Sequence, residues 1–181
     1  MSNLTERFIL HLPGTVNQVN AFRRSLIADV SMIAPSKIVI RRNTTGMTDE
    51  FLAQRTGLIP FTQDDCADPA TMKASLKVKG RNAVARDFVG AEVVYADIEV
   101  AVIAHDQELD MDVFFTRDTA ETHAHFGRVC AVSMFPSGKS GVQTVAFTPL
   151  IPGDGPVCVS EAWNALNDMM DTAIEALEKS D

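Results

Sequence analysis

His123 and His125 stand two apart in THAHFG, a spacing that sets both imidazoles on one side of an extended chain, where they could share a divalent metal. No third ligand follows at a metal-binding spacing, so the pair argues better for two ordinary histidines than for a metal centre. Glu108, Asp110 and Asp112 alternate in ELDMDVFF. Alternate carboxylates can gather a cation, but the wet face of a half-buried strand shows the same pattern, and that reading is preferred. Ser133, Ser137 and Ser140 lie in no nucleophile-elbow context. PSGKSG contains Gly-Lys-Ser but lacks the leading glycine four residues upstream, and strand-forming residues follow it, so it is no cradle for a nucleotide phosphate. Cys66, Cys130 and Cys158 are odd in number and far apart, which fits neither a disulfide framework nor a C-x-x-C zinc site; they are predicted to be reduced and mostly buried. The one chemical alternative left standing is a small metal-dependent enzyme built on the two histidines.

The elements around these groups follow from periodicity and punctuation. RFILHL is a short apolar run ended by Pro13-Gly14, a strand and its turn. In NQVNAFRRSLIADV, Val19, Phe22, Leu26 and Val30 recur three and four apart, which predicts a helix with one apolar face and turns Arg23 and Arg24 away from it. KIVIRR reads as a strand with Ile38 and Ile40 on one face. Within NTTGMTDEFLAQRTGLIP, Asn43 to Pro60, a short helix is predicted. Thr48 caps it, Asp49 and Glu50 sit in the first turn where the dipole favours negative charge, and Gly57 with Pro60 stops it. Phe51 and Arg55 share one of its faces. Strands follow in ASLKVKG, AEVVYADIEVAVI, ELDMDVFF and VCAVSMF; in the third, Leu109, Met111, Val113 and Phe115 alternate with the carboxylates. A turn over Pro136 to Gly141 leads into VQTVAFT. The strongest helical pattern closes the chain, with Trp163, Leu166, Met170, Ala173, Ile174 and Leu177 on one stripe and Asn167, Asp168, Asp171, Glu175 and Glu178 toward the other side. So amphipathic a helix needs a cover, supplied in part by its own sheet and in part by another chain.

With 181 residues, 46% of them apolar, the chain can bury a core and fits one domain or two small interleaved ones. Its net charge of -8 argues against direct gripping of a nucleic-acid backbone. The charge is uneven: seven basic and four acidic residues stand at or before Phe61, and nine basic and twenty acidic beyond it, or +3 followed by -11. The opening third therefore suits an acidic protein partner. No apolar run is long enough to span a bilayer, and MSNLTERFILHLPGT lacks the build of a secretion signal, so an intracellular protein is expected.

Asn20, Arg23 and Arg24 in NAFRRSLIADVSMIA, followed by Asp49, Glu50, Phe51, Arg55, Gly57, Leu58, Ile59 and Pro60, resemble the signature of the alpha-like subunits of multisubunit DNA-directed RNA polymerases. That family comprises the third-largest subunit of eukaryotic polymerase II, its archaeal D-type counterpart and the bacterial alpha amino-terminal domain. DQELDMDVFFTRDTAETHAHFG is similar to the family's Gln-Glu-Leu strand and its Glu-x-His-Ala-x-aromatic turn, carried here by Gln107, Glu108, Leu109, His123, Ala124 and Phe126, with Thr122 immediately before His123. VQTVAFTPLIPGDGPVCVSEAWNAL resembles the family's return to its dimerisation domain, so the likeness covers nearly the whole chain. Ser31 stands where the family usually has proline, Phe126 where tryptophan is common, and no cysteine cluster marks a zinc or iron-sulfur site. With no long tail after its last helix, the chain resembles a reduced member, of the kind a large DNA virus encoding its own polymerase would supply.

The resemblance implies an α+β fold: a discontinuous dimerisation domain, residues 1-35 and 139-181, with helices on an antiparallel sheet, and an inserted mainly-β domain, residues 36-138. It implies a noncatalytic assembly subunit with no cofactor and no metal. Such a subunit heterodimerises with a smaller, archaeal L-like alpha-like subunit to form the platform for the second-largest and largest subunits, with small polymerase subunits as further contacts. DNA is reached only through the complex and no membrane is involved; the compartment is nucleus or cytoplasm, or the virus factory or virion for a viral member. Arg23, Arg24, Asp49, Glu50 and Arg55 would dock the large subunits, and Phe22, Leu26, Trp163, Leu166, Met170, Ile174 and Leu177 would form the dimer interface or core. A free-standing homodimeric protein-binding module of the same fold is the alternative.

Overall fold

The computed structural model describes residues 6–62 and 68–178, with side chains through Glu175; Cys66 and the side chain of Leu177 lie outside the described residues. The chain is α+β with antiparallel sheets and divides into two compact units, one from Met1–Ser31 and Thr119–Asp181, the other from Met32–Asp118. The divisions fall at 31/32 and 118/119, where the resemblance implied about 35/36 and 138/139. At the first, Ile33 already packs in the core of the second unit. At the second, the segment before residue 139 pairs into the sheet of the first unit.

In that first unit, β1 (Phe8–Pro13), β7 (Val129–Pro136) and β8 (Val142–Pro149) form a sheet of order β1-β8-β7. Phe8 pairs with Phe147, and Leu10 and Met134 flank Val145, so one face of the sheet is apolar. Helices α1 (Val16–Ala28) and α3 (Gly155–Glu178) supply the other half of the core, where Val19, Phe22, Leu26, Cys158 and Ala162 meet Val145 and Phe147. PSGKSG makes the β7–β8 turn and runs into strand, as predicted, with positive φ at Gly138 and Gly141. α1 starts in a capping box: Gln18 N–H donates to Thr15 Oγ1 at 3.4 Å, and Thr15 N–H donates to Gln18 Oε1 at 2.9 Å. α3 starts at Gly155 for a packing reason, since any Cβ there would collide with the ring of Phe8.

The second unit holds β2 (Ser31–Asn43), α2 (Asp49–Gly57), β3 (Lys73–Lys79), β4 (Ala83–Val84), β5 (Glu99–Ala101) and β6 (Glu108–Thr119). Its main sheet has the order β2-β6-β3, and β4 pairs with β5. β2 begins six residues before the predicted KIVIRR and passes through Pro35. The alternation in β6 is realised: Leu109, Met111 and Val113 lie opposite Val78, Leu76 and Ala74 on the core face. The other face is not simply wet, because Asp112 is buried in a ladder of opposite charges. Ser75 Oγ donates to Asp112 Oδ1 at 2.6 Å, Lys73 Nζ lies 3.0 Å from Asp112 Oδ2, and Arg41 bonds both Asp110 and Asp112. AEVVYADIEVAVI, predicted as a strand, is strand only at Glu99–Ala101. Its first half follows the 60–62 stretch instead, with Thr62 N–H donating to Glu92 O and Val94 N–H to Pro60 O. Gly90 leads into it at φ 104, where a Cβ would press on the Lys73 carbonyl.

Candidate protein-docking site

The two helices of the first unit lie close because α1 turns small groups toward α3. Ser25 Oγ donates to the Ala162 carbonyl at 2.9 Å inside the core, and Ala21 and Ala28 line grooves beside α3. Phe22 and Leu26, expected at the interface or in the core, are fully buried within their own unit. Trp163 packs on Phe22, ring centroids 5.6 Å apart, yet remains 49% exposed, and Leu166 is half-buried. Met170 and Ile174 are 56% and 52% exposed. The predicted stripe thus splits, its beginning seated on the unit and its continuation uncovered. Met169, exposed beside Met170 in the groove with α1, extends that apolar surface and was not singled out in the sequence.

Arg23 and Arg24 sit on α1 outside the core. Arg23 Nε donates to Asn20 Oδ1 at 2.9 Å, an i, i+3 link that gives the Asn-x-x-Arg spacing a local purpose, and Arg24 is exposed beside Met169 and Ala173.

Asp49, Glu50 and Arg55 lie in the second unit, on α2. Phe51 N–H donates to Thr48 Oγ1 at 3.4 Å, the predicted cap, and Asn43 Nδ2 donates to Asp49 Oδ1 at 2.7 Å and to Met47 O at 2.8 Å. Leu52 and Thr56 face inward, while Phe51 and Leu58 are exposed. The Arg55 guanidinium lies 5.7 Å from the Phe51 ring centroid and donates to Glu99 O at 2.6 Å. Asp49 and Arg55 therefore brace the helix in its own unit, and Glu50, Phe51 and Leu58 make its outward surface.

One polar centre had no sequence signal. Arg128, 1% exposed, gives Asp154 Oδ2 two bonds of 2.9 Å, from Nε and Nη2, and its Nη1 donates to Ser31 O at 3.1 Å and to Glu161 Oε1 at 3.4 Å. Glu161 Oε2 in turn accepts from the N–H and the hydroxyl of Ser31, at 2.9 and 3.1 Å. A proline at position 31 would lack that N–H. This centre ties the start of α3 to the end of the α1 segment, which positions the exposed stripe. Nearby, burial pushes the Cys158 thiol up to about 11, so it stays protonated and inert near neutral pH.

The His123 and His125 rings are tilted against each other with centroids 4.5 Å apart, and among the described residues no group of three His, Cys, Asp or Glu is placed to hold a metal. No helix among them is long and apolar enough to cross a membrane.

No protein-family model matches the chain. It is similar to the DNA-directed RNA polymerase subunit Rpo3 of Natronomonas pharaonis, 33% identical over 61% of this chain and 47% of that protein. It is also similar to the protein of the same name from Pyrobaculum calidifontis, 30% identical over 59% of this chain and 49% of that one. With Rpo3 of Methanocaldococcus jannaschii it shares 25% identity over 68% of this chain and 66% of that one. The likeness to the alpha-like subunits of RNA polymerase read from Asn20 to Pro60 is thereby borne out. The chain spans about half the length of the first two of these curated relatives.

Proposed function

We propose that this chain is a noncatalytic assembly subunit of a DNA-directed RNA polymerase. In this reading the first unit is the discontinuous dimerisation domain and the second its insert. The first unit pairs with a smaller alpha-like chain, and the pair is the platform on which the two large catalytic subunits assemble. The observation that carries the reading is the uncovered stretch of α3: Trp163, Met170 and Ile174 stand half exposed on one line of a helix whose other end is firmly anchored. Its weight comes from being found in a chain similar to polymerase subunits named Rpo3. Arg23 and Arg24 then offer charge-assisted hydrogen bonds to the second-largest subunit, and the outward face of α2 offers Glu50, Phe51 and Leu58 as a second contact. Affinity purification of the tagged chain from its native source, followed by mass spectrometry, tests this. One small alpha-like chain and two very large chains are expected in stoichiometric yield; a chain recovered alone or only with itself would refute the assignment.

A further inference from the structure

From Asn167 to Glu175 every residue of α3 is exposed, Met169, Met170 and Ile174 among them. At 3.6 residues per turn, Trp163, Met170 and Ile174 fall within an arc of about 40°, and Asp168, Asp171 and Glu175 lie about 80–140° round from Trp163 on one flank. The opposite flank forms a groove with α1 whose charged members are Arg24, Asp29 and Glu121. Between Gly155 and Glu178 the helix contains no Lys, Arg or His.

These charges bear on what can cover the stripe. Two copies related by a twofold axis across the helices bring each flank against itself, so three carboxylates meet three carboxylates. A twofold axis along the helices brings the acidic flank against the groove flank, with its one base and two acids. Either self-pairing opposes like charge along the rim of the buried stripe.

We propose that the uncovered half of α3 receives a different chain, one presenting an apolar helical stripe bordered by Lys or Arg opposite Asp168, Asp171 and Glu175, and that the same carboxylates reject a second copy of this chain. The inference rests on the assembly reading above and names the chemistry of its small partner. Three exposed charge pairs of this kind amount to about a tenfold change in affinity, and salt screens them.

Two synthetic helical peptides with one Leu/Ile stripe, the first flanked by Lys and the second by Glu, test it against the full chain by fluorescence anisotropy. The Lys peptide is expected to bind about tenfold tighter at low salt, the preference to vanish near about 1 M salt, and the D168K/D171K/E175K chain to invert it. The substituted positions are all exposed, and circular dichroism checks that the variant is folded. In sedimentation the unmodified chain alone should run as a monomer. Equal binding, binding of neither peptide, or a salt-insensitive dimer of the chain alone would overturn the proposal. Peptide discrimination combined with a native purification free of polymerase chains would uphold this surface chemistry while sinking the assembly role, so the two failures are separable.

Discussion

Arg128 is a guanidinium held out of water, paired with Asp154 and Glu161 and with the Ser31 carbonyl. Replacing it by methionine keeps the volume but leaves two carboxylates facing an apolar side chain. Arg128→Met is expected to lower unfolding stability by about 3–5 kcal/mol in urea titration. Sequence patterns gave no hint of this residue, because an isolated arginine is ordinarily a surface group and its partners stand far apart in the chain. The cysteines carry a second expectation at this scale. Cys130 is exposed and Cys158 buried, with its thiol raised to about 11, so iodoacetamide at neutral pH should alkylate Cys130 and spare Cys158 until the chain is unfolded. Peptide mass mapping with and without denaturant reads the difference, and rapid labelling of Cys158 in the native chain would contradict the packing around it.

At the scale of elements, the β2-β6-β3 sheet ties stability to pH. The hydrogen bond from Ser75, with Lys73 and Arg41, holds the Asp112 carboxyl down at about 2 against the cost of burying it. A carboxylate depressed in the folded state contributes its stability fully above the unfolded pKa, near 4, and loses it as pH falls toward 2. Unfolding free energy should therefore drop by about 1–2 kcal/mol across that window through Asp112, and Asp112→Asn should flatten that part of the curve. Asp87, held below the ordinary range by its hydrogen bonds from Arg81, acts in the same direction. The periodic elements were legible beforehand: the core faces of α1 and β6, the cap and stop of α2, the stripe of α3. Alternation reports which way a side chain points but not what the next strand lays beside it, so Asp112 read as wet. β-branched content made AEVVYADIEVAVI read as strand, whereas its backbone partners are the 60–62 stretch, a nonlocal pairing that no window of sequence contains. The pairing of β7 with β8 in one sheet keeps both strands in the first unit, on the far side of the 118/119 division.

For the whole molecule, the open question in the sequence was how much of an apolar stripe serves the chain and how much serves another. Periodicity cannot divide it, because Leu26 and Ile174 satisfy the same pattern; only burial separates them, the first enclosed and the second half in water. That separation allows partner binding and folding to be tested apart. Trp163→Asp removes a ring that packs on Phe22 but leaves the charge at a half-exposed position, so the variant should remain folded by circular dichroism. Its pairing with the proposed small partner should weaken by about 2 kcal/mol or more, some thirtyfold, the loss expected at an aromatic anchor. Arg23→Glu acts elsewhere, breaking the link to Asn20 on the surface of α1 while leaving Phe22 and Leu26 in place. Under the proposed assembly it should keep the small partner and lose the large chains in copurification. If both variants lose both classes of partner while still folded, one continuous surface serves both contacts, and the division between a pairing stripe on α3 and a recruiting face on α1 is wrong.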